Sequence, residues 1–96
     1  MQRITEKMIE ARIKWLNELT DSPEKPWVRK DNESTAQIGN YHISFAYGGV
    51  SLHRMLSTHG SIDDVFRCGH IPKRELFDRV CAFMEGIHVE SERVGS

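Results

Sequence analysis

Residues 40–56 alternate between apolar and polar side chains on either side of Gly48-Gly49. A two-residue glycine loop suits a turn that needs positive φ, so the pattern predicts a β-hairpin closed at this pair. Counting outward from the loop gives one mostly apolar face, in which Tyr47 pairs with Val50, Phe45 with Leu52, Ile43 with Arg54 and Tyr41 with Leu56. The other face is small or polar, with Ala46 opposite Ser51, Ser44 opposite His53 and His42 opposite Met55.

Two segments with helical periodicity flank the hairpin. The first runs from about Thr5 to Leu19 and is followed by Pro23, which cannot continue a helix. The second begins at Pro72, and its apolar positions extend to Ile87. Each segment has one apolar side, so both helices are expected to pack against the sheet.

The remaining segments are shorter. Trp27–Lys30 is predicted to be the first strand, paired with 35–38 so that Trp27 faces Ile38, and a bulge is expected at Gly39-Asn40. Ser61–Phe66 is expected to form a short helical turn capped by Ser61. The predicted fold is therefore α+β: a small three-stranded antiparallel sheet with an N-terminal and a C-terminal helix on one face, in the order α-β-β-β-α. Residues 1–90 form the single domain, and residues 91–96 a frayed polar tail.

Composition narrows the classes of function. The 96 residues are 39% hydrophobic and 28% charged with a net charge of −1, so no overall positive field attracts nucleic acid or an anionic membrane. The N-terminal segment lacks the pattern of a signal peptide, and the sequence predicts a cytoplasmic protein. Cys68 and Cys81 are read as reduced thiols, with Cys81 in the core. A homodimer stays open, and no cofactor is predicted.

Histidines are the first candidates for chemistry. His42 and His53 fall on diagonal positions of the polar hairpin face, where they could bind a metal ion or act as acid and base. Solvated strand histidines are the simpler interpretation, because no spacing typical of a zinc site is present. A nucleophile and base can also be drawn from Cys68 with His70 or from Ser44 with His53, with Asp63 or Asp64 orienting the base.

The start of the second helix predicts an anion site. Ile71 at the capping position has no side-chain acceptor, and Lys73 and Arg74 add positive charge to an already positive helix end. A bound anion would satisfy this arrangement, either a carboxylate of Asp63 or Asp64 or an external phosphate. The predicted ligand-binding residues are Arg54, His70, Lys73 and Arg74.

Arg12 interrupts the apolar side of the first helix, between Met8 and Leu16. Its aliphatic stem can cover the edge of the core while the guanidinium reaches water or a carboxylate. The alternative is a cation directed at an acidic group in a cleft. Together with Asp63 and Asp64, Arg12 is counted among the candidate ionic partners of the site.

Three motifs carry a family resemblance. At Gly39-Asn40-Tyr41-His42, Ala46-Tyr47-Gly48-Gly49 and 69–78 the chain resembles a group of small proteins encoded by tailed bacteriophages and prophages. Leu16-Asn17, Pro23 and Pro26 match the early part of that pattern. The resemblance implies a non-virion accessory protein that acts in the cytoplasm of an infected or lysogenic bacterium, and it implies no particular activity.

Taken together, these observations predict a non-enzymatic phage or prophage accessory protein. Its expected ligand is a host protein or a small anion such as a nucleotide, and its expected role is interference with a host process, defence included. The alternatives are a small hydrolase or metal-binding protein that uses His42, His53 and His70, and a structural homo-oligomer.

Overall fold

The computed structural model describes the backbone of residues 3–95 and the side chains of residues 3–90. The described chain contains two helices and five strands: α1 (Glu6–Leu19), β1 (Trp27–Lys30), β2 (Glu33–Ala36), β3 (Tyr41–Ala46), β4 (Gly49–Met55), β5 (Ile62–Asp64) and α2 (Lys73–Gly95). Strands β1 and β2 form a two-stranded sheet, and the other three form a sheet in the order β3-β4-β5. Both sheets are antiparallel, and the α+β class is confirmed.

Helix α1 has the buried face that its sequence predicts and a cap at its start. Thr5 adopts an extended conformation and its hydroxyl accepts the Met8 N–H at 3.3 Å, which satisfies one of the free donors at the helix start. Ile9, Ile13 and Leu16 are buried against the rest of the core. These three positions follow the i, i+4, i+7 spacing of one helix face.

The hairpin is present, but its turn lies one residue earlier than predicted. Tyr47 and Gly48 occupy the loop with φ of 53° and 74°, the two positive values of a type I′ turn. The cross-strand pairs are Tyr41 with Arg54, His42 with His53, Ile43 with Leu52, Ser44 with Ser51, Phe45 with Val50 and Ala46 with Gly49. Every partner has moved by two residues, so each side chain stays on its predicted face while the predicted register is wrong.

Gly49 explains the displaced turn. The backbone of β4 approaches the segment before α2, with Val50 and Ile71 exchanging two hydrogen bonds of 2.8 Å. A Cβ at Gly49 would lie 3.0 Å from the carbonyl carbon of His70 and 3.0 Å from the carbonyl oxygen of Ile71. The glycine is therefore required by close backbone approach, and Tyr47 takes the turn position in its place.

The third strand of the main sheet also differs from the prediction. It is Ile62–Asp64, which pairs with β4 through His53–Asp64, Arg54–Asp63 and Met55–Ile62, so the helical turn predicted at 61–66 is wrong. A turn of six residues gains few hydrogen bonds as a helix, whereas the extended form satisfies the open edge of β4. The predicted first strand Trp27–Lys30 pairs in a separate sheet, where Trp27 faces Ala36 instead of Ile38.

The core lies between the two helices and one face of the main sheet. Tyr41, Val50 and Leu52 of that face pack with the buried residues of α1 and with Leu76, Val80 and Met84 of α2. Several residues on the predicted apolar sides lie at the surface instead. On the hairpin Phe45 is 50% exposed, Tyr47 98% and Leu56 53%, and on α1 Trp15 is 56% exposed.

Helix α2 begins at Lys73, one residue after the predicted start at Pro72, and it continues to Gly95, so that Gly86 lies inside the helix. Helical backbone therefore includes residues 91–95, which the sequence expects as a polar tail. None of the helices in the described chain has the length and apolar character needed to cross a membrane.

Candidate functional site

The sheet face opposite the helices carries three histidines in a row. His42 faces His53 directly across β3 and β4, and the ring centroids are 5.9 Å apart. His70, from the segment before α2, brings its ring centroid to 6.0 Å from that of His53. We refer to His42, Ser44, Ser51, His53 and His70 together as the histidine face.

Asn40 fixes the first histidine of this row. Its side chain is buried, and its amide nitrogen donates to the Pro23 carbonyl at 2.7 Å. The amide oxygen of Asn40 therefore faces His42, whose Nδ1 lies 3.1 Å away. Because a carbonyl oxygen only accepts, Nδ1 carries the proton, and the neutral ring presents a bare Nε2.

Burial sets the charge of two histidines. Burial lowers the pKa of His42, and the neighbouring His53 lowers it further. Burial is also the largest cause that lowers the pKa of His53; Asp64 raises that pKa, His70 lowers it and Asp63 raises it. Since an ordinary histidine titrates near pH 6.5, both rings are mainly neutral at pH 7, the form in which a histidine can act as a base or a metal ligand.

The sequence suggested that Ser44 pairs with His53, but in the structure Ser44 pairs with His70. Its Oγ lies 3.2 Å from Nε2 of His70, a distance at which a histidine can act as base towards a serine. The predicted orienting carboxylate is used elsewhere, because Asp64 accepts the backbone N–H groups of Arg67 at 3.1 Å and Gly69 at 2.9 Å. Within residues 3–90, no hydrogen bond joins His70 to a carboxylate.

Ser51 lies on the same face, directly opposite Ser44. Its side chain is fully buried, and its hydroxyl has no hydrogen-bond partner among the described residues. Cys68, the other predicted nucleophile, directs its thiol to the Gly69 carbonyl at 3.7 Å. No group of three or more His, Cys, Asp or Glu side chains in the described chain is placed to hold a metal ion.

The four residues predicted to bind an anion do not converge. Lys73 lies at the start of α2, 3.8 Å from the Glu6 carboxylate, and Arg74 follows it at the surface. Val50 of β4 pairs with Ile71, just before the start of α2. Arg54 is four residues further along β4, and four residues of strand span roughly 13 Å. The Arg54 guanidinium is 5.0 Å from the Tyr41 ring centroid. The His70 ring lies beside the His53 ring, with their centroids 6.0 Å apart.

The aspartates expected near the helix start serve the third strand instead. Asp63 lies opposite Arg54 across β4 and β5, and Asp64 lies opposite His53. Because Asp64 accepts two backbone N–H groups, it stabilises the turn that leads from β5 towards α2.

Sequence reasoning missed a second surface, a groove of about 550 Å³ between α1 and α2. We call it the interhelical groove; it is lined by Arg12, Trp15, Leu19, Cys81, Met84, Glu85 and His88. Cys81 is half-buried in this groove and is not enclosed in the core. The sequence signal was Trp15, which helical periodicity places on the apolar side of the predicted helix 5–19.

Arg12 forms part of the groove. Its guanidinium lies 5.4 Å from the Trp15 ring centroid and 5.8 Å from that of Phe77. These are distances at which a cation is attracted to an aromatic face. Among the described residues Arg12 forms no ion pair, so the groove presents a cation beside apolar side chains.

No protein-family model, curated protein or solved structure matches this chain.

Proposed function

We propose that this chain is a non-enzymatic accessory protein of a bacteriophage or prophage that binds a protein of the bacterial host. The interhelical groove is the proposed binding surface, and an amphipathic helix of the partner is the proposed occupant. The resemblance of the hairpin and α2 motifs to phage-encoded proteins supports the setting, including a role in host takeover or against host defence. A protein partner is favoured over a small anion for a separate reason. Arg54 lies beside Tyr41 and Lys73 beside Glu6, so these two predicted anion-binding cations do not form one site.

The single observation that carries the proposal is the exposure of Trp15 beside Arg12. Trp15 is 56% exposed and lines the groove. Tryptophan and arginine are the residues most enriched among those that dominate protein-binding energy. Leu19 and Met84 continue the apolar surface along the two helices.

Charge at the rims defines the partner's chemistry. Arg12 lies on the α1 side and Glu85 on the α2 side. A helix that buries an apolar stripe between these rims would place an acidic residue towards Arg12 and a basic residue towards Glu85. The partner is therefore an amphipathic helix with opposite charges flanking its apolar stripe.

A capture experiment with matched variants tests the proposal. The wild-type chain and its W15A, R12E and W27A variants are immobilised and exposed to bacterial lysate, and each captured protein is then titrated into the isotope-labelled chain. W27A is the control, because Trp27 is also half-exposed, at 46%, but lies on β1 outside the groove. We expect W15A and R12E to lose the partner, W27A to retain it, and amide shifts to concentrate on α1 and α2.

Two outcomes would contradict the proposal. Equal capture by wild type and W15A would remove the groove as the binding surface. Self-association that W15A abolishes would assign the groove to a second copy of this chain instead of a host helix.

A further inference from the structure

The histidine face supports a site that is independent of the interhelical groove. We propose that His42 and His53 bind a divalent transition-metal ion, such as Zn²⁺ or Cu²⁺, through one ring nitrogen each. The metal would sit on the sheet face opposite the helices, with water completing its coordination.

Strand register brings the two ligands together. His42 and His53 are directly opposed on β3 and β4, and side chains in such pairs start from Cβ atoms about 4.5–5.5 Å apart. The ring centroids are 5.9 Å apart, which is short enough for one ion to bind both rings at Zn–N distances of about 2.0–2.1 Å. Imidazole is a preferred ligand of both Zn²⁺ and Cu²⁺.

Asn40 gives His42 the environment of a metal ligand. Histidines that bind metals almost always donate their other ring N–H to a carbonyl or carboxylate, which fixes the ring and its tautomer. The Asn40 amide oxygen does this for Nδ1 of His42, and Asn40 is itself held by the Pro23 carbonyl. Nε2 of His42 is therefore the proposed ligand atom.

His53 is the second ligand because its ring is uncommitted. Neither of its ring nitrogens forms a hydrogen bond with the residues that the structure describes, whereas Nε2 of His70 is 3.2 Å from Ser44. Asp64 of β5 is the cross-strand partner of His53 on the side of β4 away from His42, and its carboxylate would add negative charge near the ion.

The test uses the untagged full chain at pH 7.5. Calorimetric titration with Zn²⁺ is expected to show one ion per chain, and Cu²⁺ is expected to give an electron paramagnetic resonance spectrum with nitrogen ligands. We expect H42Q and H53Q each to weaken Zn²⁺ binding at least about tenfold, on the scale seen when the surroundings of a metal ligand are lost. H59Q is the control, because His59 is exposed in the loop between β4 and β5.

The wild-type chain provides a test that needs no variant. Added Zn²⁺ is expected to shift the imidazole ¹⁵N resonances of His42 and His53 more than those of His59 or His88. Unshifted resonances at His42 and His53 with millimolar Zn²⁺ would overturn the proposal. So would equal Zn²⁺ affinity in wild type and H42Q, or an equal loss of affinity in H59Q.

Discussion

The carboxamide of Asn17 forms two hydrogen bonds with the backbone of Tyr41: its oxygen accepts the Tyr41 N–H at 2.8 Å, and its nitrogen donates to the Tyr41 carbonyl at 3.0 Å. Strand β3 is an edge of the main sheet, so these two backbone groups have no strand partner. Asn17 supplies the bonds that another strand would supply, and it fastens α1 to the sheet while it remains buried.

Replacing Asn17 by alanine is expected to destabilise the fold by about 2–4 kcal/mol, because two backbone groups would be left without partners in the core. Urea unfolding followed by circular dichroism measures the change. E18A is the control, since Glu18 is the next residue of α1 and is exposed. A loss below about 1 kcal/mol for N17A would show that water replaces both bonds at little cost.

Two Gly→Ala substitutions should have opposite effects. G49A places a methyl group 3.0 Å from backbone atoms of His70 and Ile71 and should cost about 1–3 kcal/mol as the strand and the segment are forced apart. G86A meets no atom within 4 Å in the middle of α2 and should stabilise the protein by about 0.5–1 kcal/mol. Thermal unfolding of both variants checks the pair. If G49A were as stable as wild type, the close approach of β4 to Ile71 would be refuted.

Stability should depend on pH through His42 and His53. Because the pKa of each is lower in the folded than in the unfolded chain, the unfolded chain binds more protons as the pH falls through the histidine range. The full stability is therefore present above about pH 6.5, and it declines as the pH falls below that value. Urea unfolding at pH 7.5 and pH 5.5, in metal-free buffer, should show this decline.

Histidine variants show which side chains cause the pH dependence of stability. H42Q and H53Q should each reduce the difference in stability between the two pH values. H59Q should leave that difference unchanged, because His59 is exposed. A decline that is the same in wild type, H42Q and H53Q would mean that other groups cause it.

The two serines of the histidine face should respond differently to removal of the hydroxyl. S51A removes a buried hydroxyl without a partner among the described residues, so the variant should be as stable as wild type or up to about 1 kcal/mol more stable. S44A removes the contact with His70 and should cost about 0.5–1.5 kcal/mol. Chemical unfolding distinguishes the two. A larger loss for S51A than for S44A would contradict the account.

The sequence predicted the helices and the hairpin well because both have strong periodic patterns. Alternation placed His42, Ser44 and His53 on one face, and this survived the error in register because a shift of two residues preserves the faces. The register itself could not be read, since Gly49 serves a contact with residues 70 and 71 that are distant in the sequence. Conformational preference predicts the Gly48-Gly49 pair as the loop. The close contact of Gly49 with residues 70 and 71 instead places Tyr47 and Gly48 in the turn.

The candidate sites were harder to predict for the same reason. His70 joins the histidine row because the neighbouring Ile71 pairs with Val50 of β4. No local sequence pattern predicts that contact. Helical periodicity put Trp15 on the apolar side of α1, but it does not show where the core ends and a groove begins. The short strand β5 lacked a long alternating pattern and depends on the open edge of β4.

The observed register places His42 directly opposite His53 on the sheet face away from the helices, and both the histidine row and the proposed metal site depend on that pairing. Nuclear Overhauser spectroscopy tests it directly, because Hα atoms of pairs that exchange no hydrogen bonds approach closely across an antiparallel ladder, with Cα atoms about 4.5 Å apart. This register predicts strong Hα–Hα cross-peaks between Ile43 and Leu52 and between Phe45 and Val50. Strong Hα–Hα cross-peaks between Ser44 and His53 and between Ala46 and Ser51, the close pairs of a hairpin closed on Gly48-Gly49, would contradict it.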